Sequence, residues 1–277
     1  MKVVVLTNGH SMSNALFENL ARKNVQVDAL VYQSPFPPYP SRGGLLEKIR
    51  WCAAYPLRLA RIPRRHREIQ ERYRRFDTPT VVTGMLNSSR MAEDLVELHP
   101  DYLILAGLGI LSPEILSIPV KGTINCHPGL LPWLRNVGVV GHALLRGYPV
   151  GVTAHYVNAG IDKGAIIERR LLPVKNTVTL AELKQDVYQL AASMLADLVT
   201  AIRRGETPRS FEQRDHFPPC KWLTPEERAR ADQMATSGFT ARCADEWREF
   251  VADESKLRLR DEFDGFPVAY EAVNLDG

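Results

Sequence analysis

A chain of 277 residues with 45% apolar and 24% charged residues describes an ordinary soluble globular protein, one large domain or a domain with an appendage. A net charge of +3 is too small to imply nucleic acid by itself, and no apolar stretch is long enough to cross a bilayer. Cys52, Cys126, Cys220 and Cys243 are scattered without a Cys-x-x-Cys, so neither a zinc site nor a disulfide framework is expected.

Val3-Val4-Val5-Leu6 reads as a fully buried parallel strand ended by Thr7-Asn8-Gly9. It begins too soon for a signal peptide, so a reduced cytoplasmic compartment is expected. Ser13-Asn14 is read as the cap of a helix from Ala15 to about Lys23, and residues 25–32 as the next strand. Strand, loop, helix and strand open an α/β sheet, which binds ligands beyond the carboxyl ends of its strands. The loop at residues 8–14 lies at such an end.

Residues 35–40 form a stiff, proline-rich segment, and residues 45–75 are dense in arginine. The latter read as one or two basic helices broken near Pro56 and Pro63. They are either a solvated helical insertion or a cationic rim for a phosphate-bearing substrate. Val81-Val82, residues 102–106 and residues 123–126 supply further strands, with a helix over 91–98. Residues 152–157 and 166–172 read as an antiparallel pair joined by the loop carrying Asp162. Residues 180–204 form a long amphipathic helix ended by Gly205. The tail holds Phe217-Pro218-Pro219, a helix from Thr224 to about Met234, and a hairpin turning at Asp264-Gly265 between residues 257–263 and 266–273. The division expected is a domain over 1–205, with its basic insertion at about 40–76, and an extension over 206–277.

The chemistry concentrates in Asn125-Cys126-His127-Pro128-Gly129-Leu130-Leu131-Pro132. Asn125 and His127 alternate along an extended segment and share one face, while Cys126 points away and reads as packing. An amide that can polarise a carbonyl beside an imidazole that can move a proton is a minimal acyl-transfer site. Asp162, in a loop of turn formers, is the candidate that orients the imidazole. A lone Asn-x-His would more often be a turn cap and a satisfied core histidine. His155 is read as structural, His142 as a helix residue that faces solvent, and His10 as a loop residue able to touch substrate.

The company of these residues resembles the folate-dependent formyltransferases, which include glycinamide ribonucleotide transformylase, methionyl-tRNA formyltransferase, sugar N-formyltransferases and formyltetrahydrofolate deformylase. The shared pattern is Asn-x-His (Asn125, His127), Leu131-Pro132, Gly151-Val152-Thr153-Ala154-His155 and Asp162-Lys163-Gly164. The resemblance spans roughly residues 1–205 and implies an open, mostly parallel twisted sheet flanked by helices, the Rossmann-like formyltransferase fold. It implies 10-formyltetrahydrofolate as formyl donor and Asn125, His127 and Asp162 as the catalytic set, with no metal. The donor would lie against Leu108, Gly109, Ile110 and Leu111, and against Val157, Asn158, Gly160 and Ile161. Asn8, Gly9, His10, Ser13 and Asn14 would meet the acceptor.

The leading expectation is N-formylation of a primary amine on a small molecule, nucleotide-linked or not, such as an amino sugar. A glycinamide ribonucleotide transformylase and a formyltetrahydrofolate deformylase are the alternatives. Partners expected are the small-molecule amine and, optionally, a second copy of the chain, with neither nucleic acid nor membrane. One departure stands out: Asn136 occupies the place of a glycine found after the Leu-Pro turn in many sugar and tRNA formyltransferases, and asparagine tolerates the left-handed backbone.

Overall fold

The computed structural model describes residues 1–9, 11–33, 45–46, 49–50, 62–172, 178–213 and 217–239. The chain divides into two compact units, Met1–Gly122 and a second from Thr123 onward.

The first unit is built on β1 (Val3–Thr7), β2 (Ala29–Gln33), β3 (Thr80–Thr83) and β4 (Tyr102–Ala106), all parallel in the order β3-β2-β1-β4. Every residue of β1 and β4 is buried, as their unbroken apolar runs require when both faces of a sheet are covered. Asp28 and Asp101 fix the start of β1, their carboxylates accepting from the backbone N–H groups of Val3 and Lys2 at 2.7 and 2.6 Å. At the other end Thr7 Oγ1 donates to Ala106 O at 2.7 Å and accepts from Gly9 N at 3.0 Å. One side chain thus joins the carboxyl ends of two adjacent strands.

Helices α1 (Ser11–Arg22), α2 (Ile62–Arg74), α3 (Ser89–Leu98) and the short α4 (Pro113–Leu116) complete this unit. Two boundaries differ from the sequence reading. α1 starts at Ser11 rather than Ala15, so Ser13 and Asn14 are helical residues and do not cap it. β2 starts at Ala29, because Val25 N closes the end of α1 on Leu20 O at 2.9 Å behind Asn24 in the left-handed region. Pro63 sits in the first turn of α2, where its missing N–H costs nothing, so it begins that helix instead of breaking it. Tyr73 and Phe76 pack their rings on Phe17 of α1 at 5.1 and 5.4 Å. Residues 35–44, with Pro56 and the rest of 51–61, lie outside the described residues.

The second unit carries β5 (Gly122–His127), β6 (Gly151–Tyr156) and β7 (Ile166–Leu171), with β6 antiparallel to both neighbours. α5 (Val139–Leu145), α6 (Leu180–Arg203) and α7 (Pro225–Thr236) surround them. Thr179 and Glu182 form a capping box at the start of α6, and Thr224 and Glu227 form another at α7. The tail helix is built into this unit. Asp232 of α7 accepts from Leu180 N at 2.7 Å, satisfying a first-turn donor of α6, and Leu223 fills the space a Cβ on Gly141 would need. The hairpin expected over 257–273 lies outside the described residues.

Candidate active site

β5 places Asn125 and His127 on one face and Cys126 on the other. Cys126 Sγ meets Met194 of α6 at 3.6 Å, and burial pushes its thiol pKa up, so it is packing, as expected. Across the antiparallel pair, Asn125 lies opposite His155 and His127 opposite Thr153. The Gly-Val-Thr-Ala-His strand therefore supplies the two side chains that support Asn-x-His.

Thr153 acts on the turn after His127. Its Oγ1 donates to Gly129 O at 2.8 Å and accepts from Leu131 N at 3.0 Å, while Arg169 Nε donates to Leu131 O at 2.7 Å. The Leu131–Pro132 peptide bond in this turn is cis. Gly129 is required by space: a Cβ there would sit 3.1 Å from His127 Nε2 and 2.9 Å from Leu134 O.

His155 acts on Asn125. Its Nδ1 lies 2.8 Å from Tyr156 O, a pure acceptor, so Nδ1 carries the hydrogen. Burial lowers its pKa to about 4, outweighing the opposing pull of Asp162, and the ring is neutral near pH 7. Nε2 is then an acceptor, and Asn125 Nδ2 donates to it at 3.3 Å. That bond fixes which end of the Asn125 amide faces His155. Among the described residues the second N–H of Asn125 has no protein partner.

His127 is 3% exposed, and both its ring nitrogens face oxygen. Nε2 lies 2.7 Å from Leu134 O and so donates, while Nδ1 lies 3.4 Å from Asp162 Oδ2. At that separation Nδ1 and Oδ2 form an ion pair whenever the ring carries its second proton. The Asp162 side chain is 16% exposed against 4% for His127. Of the two, the carboxylate is the one that solvent or substrate reaches.

Two further contacts hold Asp162: its Oδ2 accepts from Asn136 N at 2.8 Å and its carbonyl accepts from Gln213 Nε2 at 2.9 Å, while its Oδ1 lies 3.8 Å from His155 Nε2, beyond hydrogen-bond distance. Asn136 has φ +75°, the left-handed geometry that asparagine tolerates, so the turn survives without the glycine. Asp162 itself has φ +51°. Gly164 must be glycine, since a Cβ would collide with the Tyr156 carbonyl. The three expected residues thus come together, and His155 joins them.

The other expected residues fall in both units. In the first, Leu108 is half-buried, Gly109 and Ile110 are exposed and Leu111 is buried, so Leu111 is core and Ile110 is not. Asn87 brackets this loop, donating to Ile110 O at 3.0 Å and accepting from Ser112 N at 2.8 Å. Asn8 is exposed and Gly9 half-buried, whereas Ser13 is fully buried. Tyr73 OH meets Ser13 Oγ at 2.9 Å and donates to Asn14 Oδ1 at 3.1 Å, so these two side chains hold α2 onto α1. His10 lies outside the described residues. In the second unit Val157 is half-buried, Asn158 and Ile161 are exposed, and Asn158 Oδ1 accepts from Gly160 N at 2.9 Å. His142 is not simply solvated: its Nε2 contacts Lys221 O at 2.9 Å.

Sequence reasoning missed Asn87 and Gln213. Each acts through a pair of long-range hydrogen bonds that leaves no periodic or compositional trace. No helix among the described residues is long and apolar enough to cross a membrane, and no group of three or more His, Cys, Asp or Glu there is arranged to hold a metal ion.

Residues 1–199 match the family model described as formyl transferase. Methionyl-tRNA formyltransferase of Nitrosomonas europaea is 33% identical over 132 residues, covering 47% of this chain and 41% of that protein. The same enzyme of Roseiflexus castenholzii is 32% identical, covering 47% and 42%. The chain therefore spans about two fifths of the length of these curated relatives. Among solved structures, a sugar N-formyltransferase of a Shewanella species aligns with TM-score 0.52 and 18% identity, covering 85% of this chain and 87% of that one. Glycinamide ribonucleotide transformylase 1 of Symbiobacterium toebii aligns with TM-score 0.53 and 20% identity over 76% and 94%. These likenesses establish the fold class anticipated from the resemblance.

Proposed function

Because this chain belongs to the formyl transferase family, we propose that it moves a formyl group from 10-formyltetrahydrofolate to a primary amine of a small molecule, with a nucleotide-linked amino sugar as the favoured acceptor. The observation that carries the reading is the network of Asn125, His155, His127 and Asp162, which leaves one amide N–H of Asn125 open beside a protonatable carboxylate.

The amine nitrogen attacks the formyl carbon, a C–N bond forms and the carbonyl oxygen becomes an oxyanion. Asn125 donates its open N–H to that oxygen; one such donor is worth about 3–4 kcal/mol in the transition state. Asp162, the more exposed member of the pair, takes the proton leaving the attacking nitrogen, and buried His127 stabilises the carboxylate behind it. This ordering places the imidazole behind the carboxylate rather than in contact with the amine. Collapse of the intermediate breaks the bond between the formyl carbon and the folate nitrogen, which receives the proton. Tetrahydrofolate and a formamide are the products.

The family resemblance assigns donor contacts to the loop at 157–161 and, separately within the first unit, to the loop at 108–111, and assigns the acceptor to the start of α1, whose first-turn N–H groups favour an anion. The exposed Arg67, Arg72 and Arg74 of α2 make a phosphate-bearing acceptor the favoured class. Residues 1–205 are proposed as the catalytic domain, acting in the cytoplasm and able to pair with a second copy. The test is mass spectrometry of the amine after incubation with 10-formyltetrahydrofolate, over nucleotide-linked amino sugars, glycinamide ribonucleotide and methionyl-tRNA. A formamide on one amino sugar supports the reading. Formate alone, with every amine unchanged, would point to the hydrolase instead.

A further inference from the structure

Gln213 lies beyond the residues that match the family model, 1–199. Its Nε2 nevertheless donates to two carbonyl oxygens of the loop that presents Asp162: Asp162 O at 2.9 Å and Gly164 O at 2.6 Å. Both partners are pure acceptors, so the amide has one admissible orientation, and both its N–H groups are used on this loop. The backbone on either side is anchored to the same site. Phe211 exchanges both backbone hydrogen bonds with Ile166 of β7, at 2.8 and 2.9 Å. Cys220 N donates to Arg135 O at 2.9 Å, and Cys220 O accepts from Asn136 Nδ2 at 2.9 Å.

Asn136 is the residue whose N–H holds Asp162 Oδ2. The tail therefore touches Asp162 from two sides, directly through Gln213 and indirectly through Cys220 and Asn136. Asp162 has φ +51°, a left-handed conformation that aspartate and asparagine adopt more readily than other side chains. Within the Asp162 loop, Gly160 N donates to Asn158 Oδ1 at 2.9 Å, and the turn bond from Lys163 N to Gly160 O is long, at 3.4 Å. The two Gln213 bonds from outside the loop add to this local turn at Asp162 and Gly164 themselves.

We infer that Gln213 is a positioning residue for Asp162: it clamps the carbonyls of the Asp162 loop so that the carboxylate stays against His127 and Asn136. Its amide N–H groups are spent on backbone carbonyls, so it acts through Asp162, and this role rests on the function proposed above. The consequence is that activity depends on a residue outside the segment that matches the family model.

The experiment compares Gln213→Met, which keeps length but has no donor, with Asp162→Asn, His127→Ala and the double variant Gln213→Met/Asp162→Asn in the full chain. Turnover is read as tetrahydrofolate release from 10-formyltetrahydrofolate with a UDP-linked amino sugar, or from the donor alone if no amine reacts. Gln213→Met should lower kcat by about 10- to 100-fold, the scale of a misplacement near 1 Å. In the Asp162→Asn background the same change should have almost no effect, because the group it positions is already disabled. Equal losses in both backgrounds, no loss in either, or a Gln213→Met chain that no longer folds would each overturn the inference. Wild-type rates in Asp162→Asn and His127→Ala would instead bring down the proposed function, a pattern distinct from losses there with none in Gln213→Met.

Discussion

His155 Nε2 lies 3.3 Å from Asn125 Nδ2, and this contact decides what the Asn125 amide can do. A neutral His155 can only accept at that nitrogen, so one N–H of Asn125 is spent on it and the carboxamide plane is fixed. The other N–H has no protein partner among the described residues, and the proposed mechanism gives it to the developing oxyanion.

Replacing Asn125 by Ala should therefore lower kcat by about 100- to 1,000-fold, the range for loss of one oxyanion donor. His155→Phe should also lower kcat, by freeing the amide to rotate, while Asn125 remains present. Steady-state kinetics beside thermal melts checks both. A full-speed His155→Phe enzyme would remove the fixed amide from the account.

Stability should fall in acid through His155. Its pKa of about 4 in the folded chain lies below the ordinary value near 6.5, so the unfolded state takes up the proton first. The stability this group contributes is then complete above about pH 6.5 and is lost as pH falls towards 4. Urea melts at pH 7 and pH 4.5 measure it. His155→Phe should flatten the dependence, and an unchanged slope would place it on other groups.

Asn87 should matter for the donor. It brackets the backbone on either side of Leu111, so Asn87→Ala frees the exposed Ile110. The rise in Tm produced by 5-formyltetrahydrofolate should shrink in this variant, with ligand-free Tm little changed. An undiminished shift would detach the loop at 108–111 from donor binding.

Neutralising Arg67, Arg72 and Arg74 to Gln should raise KM for a phosphate-bearing acceptor and weaken its salt dependence, with donor affinity unchanged. Unaltered KM would leave α2 as scaffold, anchored through the buried Ile69 and Tyr73.

How far the sequence carries can be traced residue by residue. Val3-Val4-Val5-Leu6 announced a strand covered on both faces, and the alternation of Asn125 and His127 put both on one side of β5. Asp162 fell between two antiparallel strands, as its turn-forming loop implied. Local signals misled where two structures share one signature. Ser13-Asn14 has cap chemistry, yet both sit inside α1 because Tyr73, about sixty residues on, accepts and donates there. Val25 and Val27 alternate like a strand, but Val25 is used to end a helix. His127 was expected to move a proton, and nothing in the sequence signals that both its ring nitrogens face oxygens, of Leu134 and of Asp162.

The most direct measurement is tetrahydrofolate release from 10-formyltetrahydrofolate by the wild-type chain and by Asp162→Asn, with and without the amine that gives a formamide. The account predicts slow release from the donor alone, many-fold faster release with the amine, and loss of that acceleration by orders of magnitude in Asp162→Asn. Equal rates with and without every amine, or an Asp162→Asn chain as fast as wild type, would contradict it.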